Sequence, residues 1–277
     1  MAKKWILGGL LGFFFWACSC KAFFLTAVQK GEGYALKGQL VKWIIFRCEP
    51  FQGRLYDLKL PKAELYPLGG KPLPVSLRRI KLEDLDTGKK RYAYQAQAVL
   101  EEEGDYFLVL SSEPTLVPGT TEVWQEFVKV PLHLGREGAW DQPLGLPLEI
   151  IPLTRPYGLR SDVPFTGVVL FQGRPLPKVK IQVVPFHGVF ISSKALPQDP
   201  WGQVDYPLMY QSTFTDQKGE FVVGFTQEGW WLISAAVHVG NHRLGGRAYP
   251  LFLRINFWLY VRPGNKVPEK APRLRFP

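Results

Sequence analysis

The feature that most constrains the fold is the frequency of proline and glycine, with 24 and 27 of them in 277 residues. Proline cannot continue a helix or a central strand, and glycine accepts the positive φ angles of tight turns. The apolar runs between these residues are short, and some alternate with period two, as in Leu253–Val261. This pattern predicts a mainly β chain.

The predicted strands form two groups separated by a Gly- and Pro-rich stretch. We therefore expect two antiparallel β-sandwich domains, the second of immunoglobulin or transthyretin-like architecture. One segment, Glu122–Leu132, fits a short helix or an extended strand equally well. The predicted organisation is a signal or lipoprotein anchor segment over 1–21, a first β domain over 22–133, a linker over 134–148, a second β-sandwich domain over 149–262 and a basic tail over 263–277.

The N-terminus has the pattern of an export signal. Lys3 and Lys4 precede Ile6–Ala17, an uninterrupted apolar run. The run has the length of a signal-peptide core and is shorter than the ~20 residues needed to span a bilayer. The pattern predicts an exported protein, periplasmic or at the outer face of the cytoplasmic membrane.

Several routes of maturation follow from the residues after the apolar run. Cys18 and Cys20 are placed as in bacterial lipoproteins, so either thiol could carry the lipid. Ordinary cleavage near Ala22 and an uncleaved anchor are the alternatives. Two acyl chains would hold the protein firmly, because each buried CH₂ contributes ~0.8 kcal/mol.

Charge and cysteine content exclude several classes of protein. The net charge of +10 comes without a basic, aromatic-rich block, so no nucleic-acid partner is expected. Three cysteines, two of them in the targeting region, cannot form a disulfide framework or a four-cysteine zinc site. The acidic run Glu101–Asp105 is interpreted as a solvated turn, and His133, in the linker region, as incidental.

One stretch carries a family resemblance. Trp140–Leu159 is followed by the turn Gly173–Pro177, by Thr215-Asp216 with Gly219 and Phe221, and by Gly229-Trp230-Trp231. This order resembles the periplasmic component associated with nickel/cobalt-type ABC uptake systems, an uncharacterised domain family. The similarity extends from Trp124 to His238. It implies a two-domain β protein outside the cytoplasmic membrane that handles Ni²⁺ or Co²⁺ and docks a transporter permease.

The metal ligands implied by this resemblance are only partly present. Family members begin the mature chain with a His, where this chain has Ala22, and they carry another where it has Arg47-Cys48-Glu49. Candidate metal ligands are therefore Cys48 and Glu49, and His238 with His242. On a strand the two imidazoles would be about 13 Å apart at ~3.3 Å per residue. A turn at Gly240-Asn241 would bring them together.

These observations support two functional hypotheses. The first is an exported substrate-binding or docking protein of a divalent transition-metal uptake system, for nickel or cobalt. The alternative is a membrane-anchored envelope interaction or structural module with no metal role. No nucleophile–base signature or Gly-rich phosphate loop is present, so an enzyme is not expected.

Overall fold

The protein folds as a mainly β chain of several, largely antiparallel sheets, as the sequence predicts. The computed structural model describes residues 23–67, 69–117, 120–202 and 209–264. Cys18 and Cys20, the predicted leader, and all but the first two residues of the predicted basic tail lie outside these ranges. No helix in the described part of the chain is long and apolar enough to cross a membrane.

The first half of the chain contributes eleven strands. They are β1 (Phe24–Gln29), β2 (Tyr34–Ala35), β3 (Leu40–Glu49), β4 (Arg54–Tyr56), β5 (Lys62–Pro67), β6 (Leu73–Pro74), β7 (Leu77–Glu83), β8 (Lys90–Val99), β9 (Gly104–Ser111), β10 (Thr115–Leu116) and β11 (Val123–Leu134). The segment for which a helix and a strand were both open is therefore a strand, β11.

The second half contributes the remaining described strands and a short 3-10 helix, Ser193–Ala195. The strands are β12 (Leu148–Pro152), β13 (Leu159–Arg160), β14 (Phe165–Phe171), β15 (Arg174–Pro175), β16 (Lys180–Pro185), β17 (Gln211–Phe214), β18 (Glu220–Val223), β19 (Gly229–Leu244) and β20 (Arg247–Arg262). The predicted linker lies between β11 and β12.

The described strands form three sheets, and the largest of them is shared by both halves. The front sheet has the order β1-β3-β8-β7, with β4 beside β3, and the back sheet consists of β12, β14, β15 and β18. The central sheet runs β17-β16-β19-β20-β11-β9-β5-β6. Its two halves join where β11 pairs in parallel with β20, from Val123↔Leu251 to Lys129↔Phe257.

The central sheet is covered on opposite faces by the other two sheets. Successive side chains of a strand point to opposite faces. On β9, Leu108 packs in one apolar core with Trp43 of the front sheet, whereas Phe107 packs in another with Ile150 of the back sheet. The described strands therefore form three layers with a large apolar core on each face of the central sheet, and burial of this apolar surface is the main stabilising contribution.

The two halves make a further contact through the segment that follows β16. The His187 and Ile191 N–H groups donate to the carbonyls of Pro50 and Gln52. Gly53 faces the Val189 carbonyl so closely that a Cβ at this position would lie 2.5 Å from its oxygen. Residues 187–191 of the second half therefore pack against the β3–β4 turn of the first half.

Candidate functional site at the junction of the two halves

The side chains of the predicted metal ligands Cys48 and Glu49 contact different groups and do not face each other's partners. Cys48 is fully buried, and its thiol lies 3.3 Å from the Thr26 hydroxyl. Burial raises the pKa of this thiol, which keeps it protonated, whereas a metal ligand must be a thiolate. The Glu49 carboxylate accepts the N–H groups of Phe51 and Gln52, so it shapes the adjacent turn.

The turn at Gly240-Asn241 that would bring His238 and His242 together is not formed, and the strand alternative is the one observed. Strand β19 continues through these residues to Leu244, with a β-bulge between His238 and Asn241. His238 lies opposite Phe252, whose ring centroid is 5.1 Å from that of the imidazole, and His242 lies opposite Tyr249. Among the described residues, no three His, Cys, Asp or Glu side chains converge as a metal site requires.

The structure instead places a histidine and an aspartate together at the junction. Asp105 on β9 and His133 on β11 are directly opposite in register, and His133 Nδ1 is 2.6 Å from Asp105 Oδ1. The other carboxylate oxygen accepts the Gly138 N–H at 2.6 Å and the Tyr157 hydroxyl at 3.1 Å. Asp105 is buried, so its interpretation as part of a solvated turn was wrong, and His133, interpreted as incidental, is its hydrogen-bond partner.

Aromatic rings enclose the histidine. The Tyr157 ring stacks on the His133 imidazole at 4.1 Å between centroids, and Tyr34 meets both rings edge-on. Burial and the nearby Asp105 charge raise the pKa of Tyr157, so its hydroxyl stays a hydrogen-bond donor. Gly158 has a φ of +63°, and a Cβ there would lie 2.4 Å from the Tyr34 hydroxyl. Glycine is required at this point of the turn.

A small cavity of about 160 Å³ opens beside this cluster. Its lining includes Arg155, Tyr157, Gly158 and Arg160. The guanidinium of Arg155 lies 5.4 Å from the Tyr157 ring centroid, and its ion pair with Glu137 is long, at 3.9 Å. Arg160 pairs with Asp162 at 2.9 Å, so Arg155, with its long ion pair, is the cation more open to an anionic group, which a guanidinium can bind through two parallel hydrogen bonds.

The sequence carries only weak local signals for this cluster. Asp105 immediately precedes the apolar strand Tyr106–Leu110, and His133 lies between Leu132 and Leu134 at the end of β11. Pairing of β9 with β11 then brings the two together. That pairing connects residues 28 positions apart, so the site depends on strand register. The predicted site residues Cys48, Glu49, His238 and His242 are not members of this cluster.

The described residues form a mainly β protein in which two halves share a sheet and meet at the Asp105–His133–Tyr157 cluster, beside a cavity lined by residues 154–163 of the second half. Residues 49–239 match the family described as a domain of unknown function, DUF4198. This match covers more than half of the chain, and the chain belongs to that family. A comparison with curated proteins gave no match.

Solved structures show only distant likeness. A DUF4785 family protein from Legionella pneumophila is 12% identical, with a TM-score of 0.30 over 78% of this chain and 53% of that one. Alpha-2-macroglobulin from Salmonella is 12% identical, with a TM-score of 0.25 over 86% of this chain and 14% of its own. Alpha-2-macroglobulin from Escherichia coli is 14% identical, with a TM-score of 0.24 over 88% and 20%. This chain therefore spans at most about half of their length.

Proposed function

We propose that this chain is an exported accessory protein, held at the outer face of a membrane, that docks an envelope partner through the junction cleft and is not an enzyme. The export pattern of Lys3, Lys4 and Ile6–Ala17 supports the location. The cleft beside Asp105 and His133 supports the docking role.

The observation that carries the docking role is the size and charge of the cavity. Its volume of about 160 Å³ is well below the ~300–1,000 Å³ of pockets that enclose a drug-sized ligand. It is suited to one planar anionic group, such as a carboxylate side chain or a chain terminus. Arg155 would pair with this group, Arg160 would add positive charge beside its own pair with Asp162, and the Tyr157 ring would form the wall of the cavity.

The contacts of His133 support binding over catalysis. Within the described ranges, its imidazole contacts the Asp105 carboxylate and the rings of Tyr34 and Tyr157. A nucleophilic mechanism requires a hydroxyl or thiol within hydrogen-bond reach of the base. The Asp105 carboxylate is instead shared with Gly138 and Tyr157, which fixes the position of the following loop.

In-cell crosslinking tests the docking role. A variant with Arg155→Glu and Arg160→Glu reverses the charge of the cleft, and Arg174→Glu is a matched control on exposed β15 of the back sheet. We expect one reproducible crosslinked product for the native chain and the control, and its loss in the cleft variant. A product that persists in the cleft variant would contradict docking at this site.

A divalent transition metal is a second candidate ligand, because the Asp105–His133 pair has the arrangement by which carboxylates orient metal-binding imidazoles. Nickel and cobalt accept imidazole nitrogen, and the family resemblance implies the same metals. Further ligands would have to come from water or from a partner, since no three suitable side chains converge in the described ranges.

Calorimetric titration with Ni²⁺ and Co²⁺ tests this second role. Binding at the junction predicts heat for the native chain near neutral pH, loss of that heat in His133→Gln, and an unchanged response in a His238→Ala, His242→Ala variant. If heat were lost only in the His238→Ala, His242→Ala variant, the metal site would lie on β19 and not at the junction. Absence of heat from the native chain would contradict metal binding.

A further inference from the structure

The described chain begins at one end of the front sheet. The Phe23 ring centroid lies 3.8 Å from that of Tyr56, and Phe24 pairs with Cys48 near the end of β3. The predicted export and anchor segment immediately precedes Phe23 in the sequence. A membrane that holds the predicted anchor segment would therefore lie near this end of the front sheet.

Two connections lie at the same end. The turn over 84–89 joins β7 to β8, and the connection over 57–61 joins β4 to β5. The Tyr92 N–H donates to Asp57, and the Leu55 N–H donates to the Asp84 carboxylate at 2.7 Å. Because Tyr56 on the same β4 strand contacts Phe23, both connections lie beside the chain's entry point.

The surface formed here combines exposed apolar and cationic side chains, and we call it the basic tip. Its apolar members are Leu60, Leu85 and Tyr92, which are 61%, 59% and 40% exposed. Its exposed cations are Lys59, Arg79, Lys81, Lys89 and Lys90. Arg79 and Lys81 lie over the Tyr92 ring, 4.8 and 5.4 Å from its centroid.

Most of the acidic groups near the basic tip are already paired. Asp57 pairs with Arg91 at 3.4 Å, and Asp86 pairs with Arg54 at 2.7 Å. Asp84 is buried and accepts the N–H groups of Leu55 and Thr87. The exposed Glu83 lies opposite Lys90, and the five exposed cations around Leu85 and Tyr92 still leave the tip with net positive charge.

We propose that the basic tip rests on an anionic phospholipid surface. A Lys or Arg near an anionic leaflet contributes about 1 kcal/mol, and leucine and aromatic side chains enter the headgroup boundary. Single exposed apolar residues are common on soluble proteins. Here they are surrounded by cations at the end of the chain that carries the predicted membrane segment, and a short tether raises their effective concentration at the surface.

The inference deepens the proposed membrane attachment and rests on it. The test uses the full chain mixed with vesicles of phosphatidylcholine alone or of phosphatidylcholine with phosphatidylglycerol. Cosedimentation reports attachment, and backbone hydrogen exchange over residues 57–60 and 84–92 reports contact of the tip. We expect cosedimentation with both vesicles, and about fivefold slower exchange at the tip with the anionic vesicles only, which corresponds to ~1 kcal/mol.

Charge variants separate tip contact from anchoring. Lys89→Glu with Lys90→Glu should abolish the slower exchange while leaving cosedimentation intact, whereas Arg174→Glu with Lys218→Glu, exposed on the back-sheet side, should change neither. Cosedimentation with equal exchange in both vesicles would overturn the tip's role and leave the attachment standing. Failure to cosediment with either vesicle would overturn the attachment and the inference together.

Discussion

The two faces of strand β11 bury opposite charges in different ways. Glu126 faces the front sheet and accepts the Leu25 N–H and the Asn256 amide, with Arg47 at 2.5 Å and Arg254 at 3.5 Å. Lys129, three residues along, faces the back sheet and donates to Glu149 at 2.7 Å and to the Ile150 carbonyl. Each charge ties the shared central sheet to one of the outer sheets.

The difference between the faces lies in access to solvent. The arginines that pair with Glu126 are 20% and 10% exposed at their side chains, whereas Lys129 and Glu149 are 0% and 1% exposed. Burial alone would raise the pKa of Glu126, but the two arginines and the hydrogen bonds lower it overall. Burial lowers the pKa of Lys129 although Glu149 opposes the shift. The surroundings of Glu126 on the front face therefore stabilise its ionised form, whereas the surroundings of Lys129 on the back face destabilise its charged form.

Removal of the lysine charge should give the largest loss of stability. Lys129→Met leaves the Glu149 carboxylate buried without its cation, and breaking a buried pair in this way costs about 3–5 kcal/mol. Denaturant unfolding followed by circular dichroism measures this loss. Adding Glu149→Gln should recover part of it, because no buried charge remains. If the double variant were no more stable than Lys129→Met, the loss could not be attributed to the unpaired Glu149 carboxylate.

Removal of the glutamate charge should have a smaller effect. Glu126→Gln keeps the shape and an acceptor for the Leu25 N–H, and Arg47 can turn toward water. We expect a loss of about 1.5–3 kcal/mol, the range for hydrogen bonds to charged groups. The same unfolding experiment applies, and a loss larger than that of Lys129→Met would reverse the ranking of the two faces.

The pH dependence of stability should follow the lowered pKa of Glu126. The contribution of this carboxylate is complete above its unfolded pKa of about 4.3 and is lost as the pH falls through the lower folded-state pKa. The native chain should therefore lose stability faster than Glu126→Gln as the pH decreases below about 4.3. Parallel curves for the two proteins would show that the folded-state pKa is not lowered.

An exposed pair provides the smallest expected effect and a reference for the other two. Asp86 and Arg54 pair at 2.7 Å with side chains that are 26% and 31% exposed. Asp86→Asn should change the free energy of unfolding by only about 0.2–1 kcal/mol, as for other surface pairs. A loss near that of Glu126→Gln would mean that burial does not set the scale of these interactions.

The individual strands could be predicted from the sequence, but their assembly into layers could not. The alternation in Leu253–Val261 identifies part of β20, and Tyr106–Leu110 identifies part of β9. The parallel pairing of β11 with β20 joins residues 128 positions apart, and no local pattern encodes it. In β11, the pairs Val123/Phe127 and Trp124/Val128 recur at a spacing of four, which left a helix open for that segment.

The candidate site was hidden for a related reason. Asp105 belongs to an acidic run, and His133 stands next to a glycine-rich connection, so each resembles a surface residue when considered alone. The contact between Asp105 and His133 depends on the register of β9 against β11, which is set by the connection between the strands and by their two buried faces. Local features, such as the turn with Asp216 and Gly219, were accessible from the sequence because their bonds lie within a few residues.

Because both halves contribute strands to the central sheet, we expect them to unfold as one cooperative unit. Hydrogen exchange in increasing denaturant tests it by following β8 in the front sheet and β14 in the back sheet within the same native chain. A shared sheet predicts that both strands lose protection at the same denaturant concentration. Two separate midpoints, with one sheet protected while the other exchanges freely, would contradict the claim.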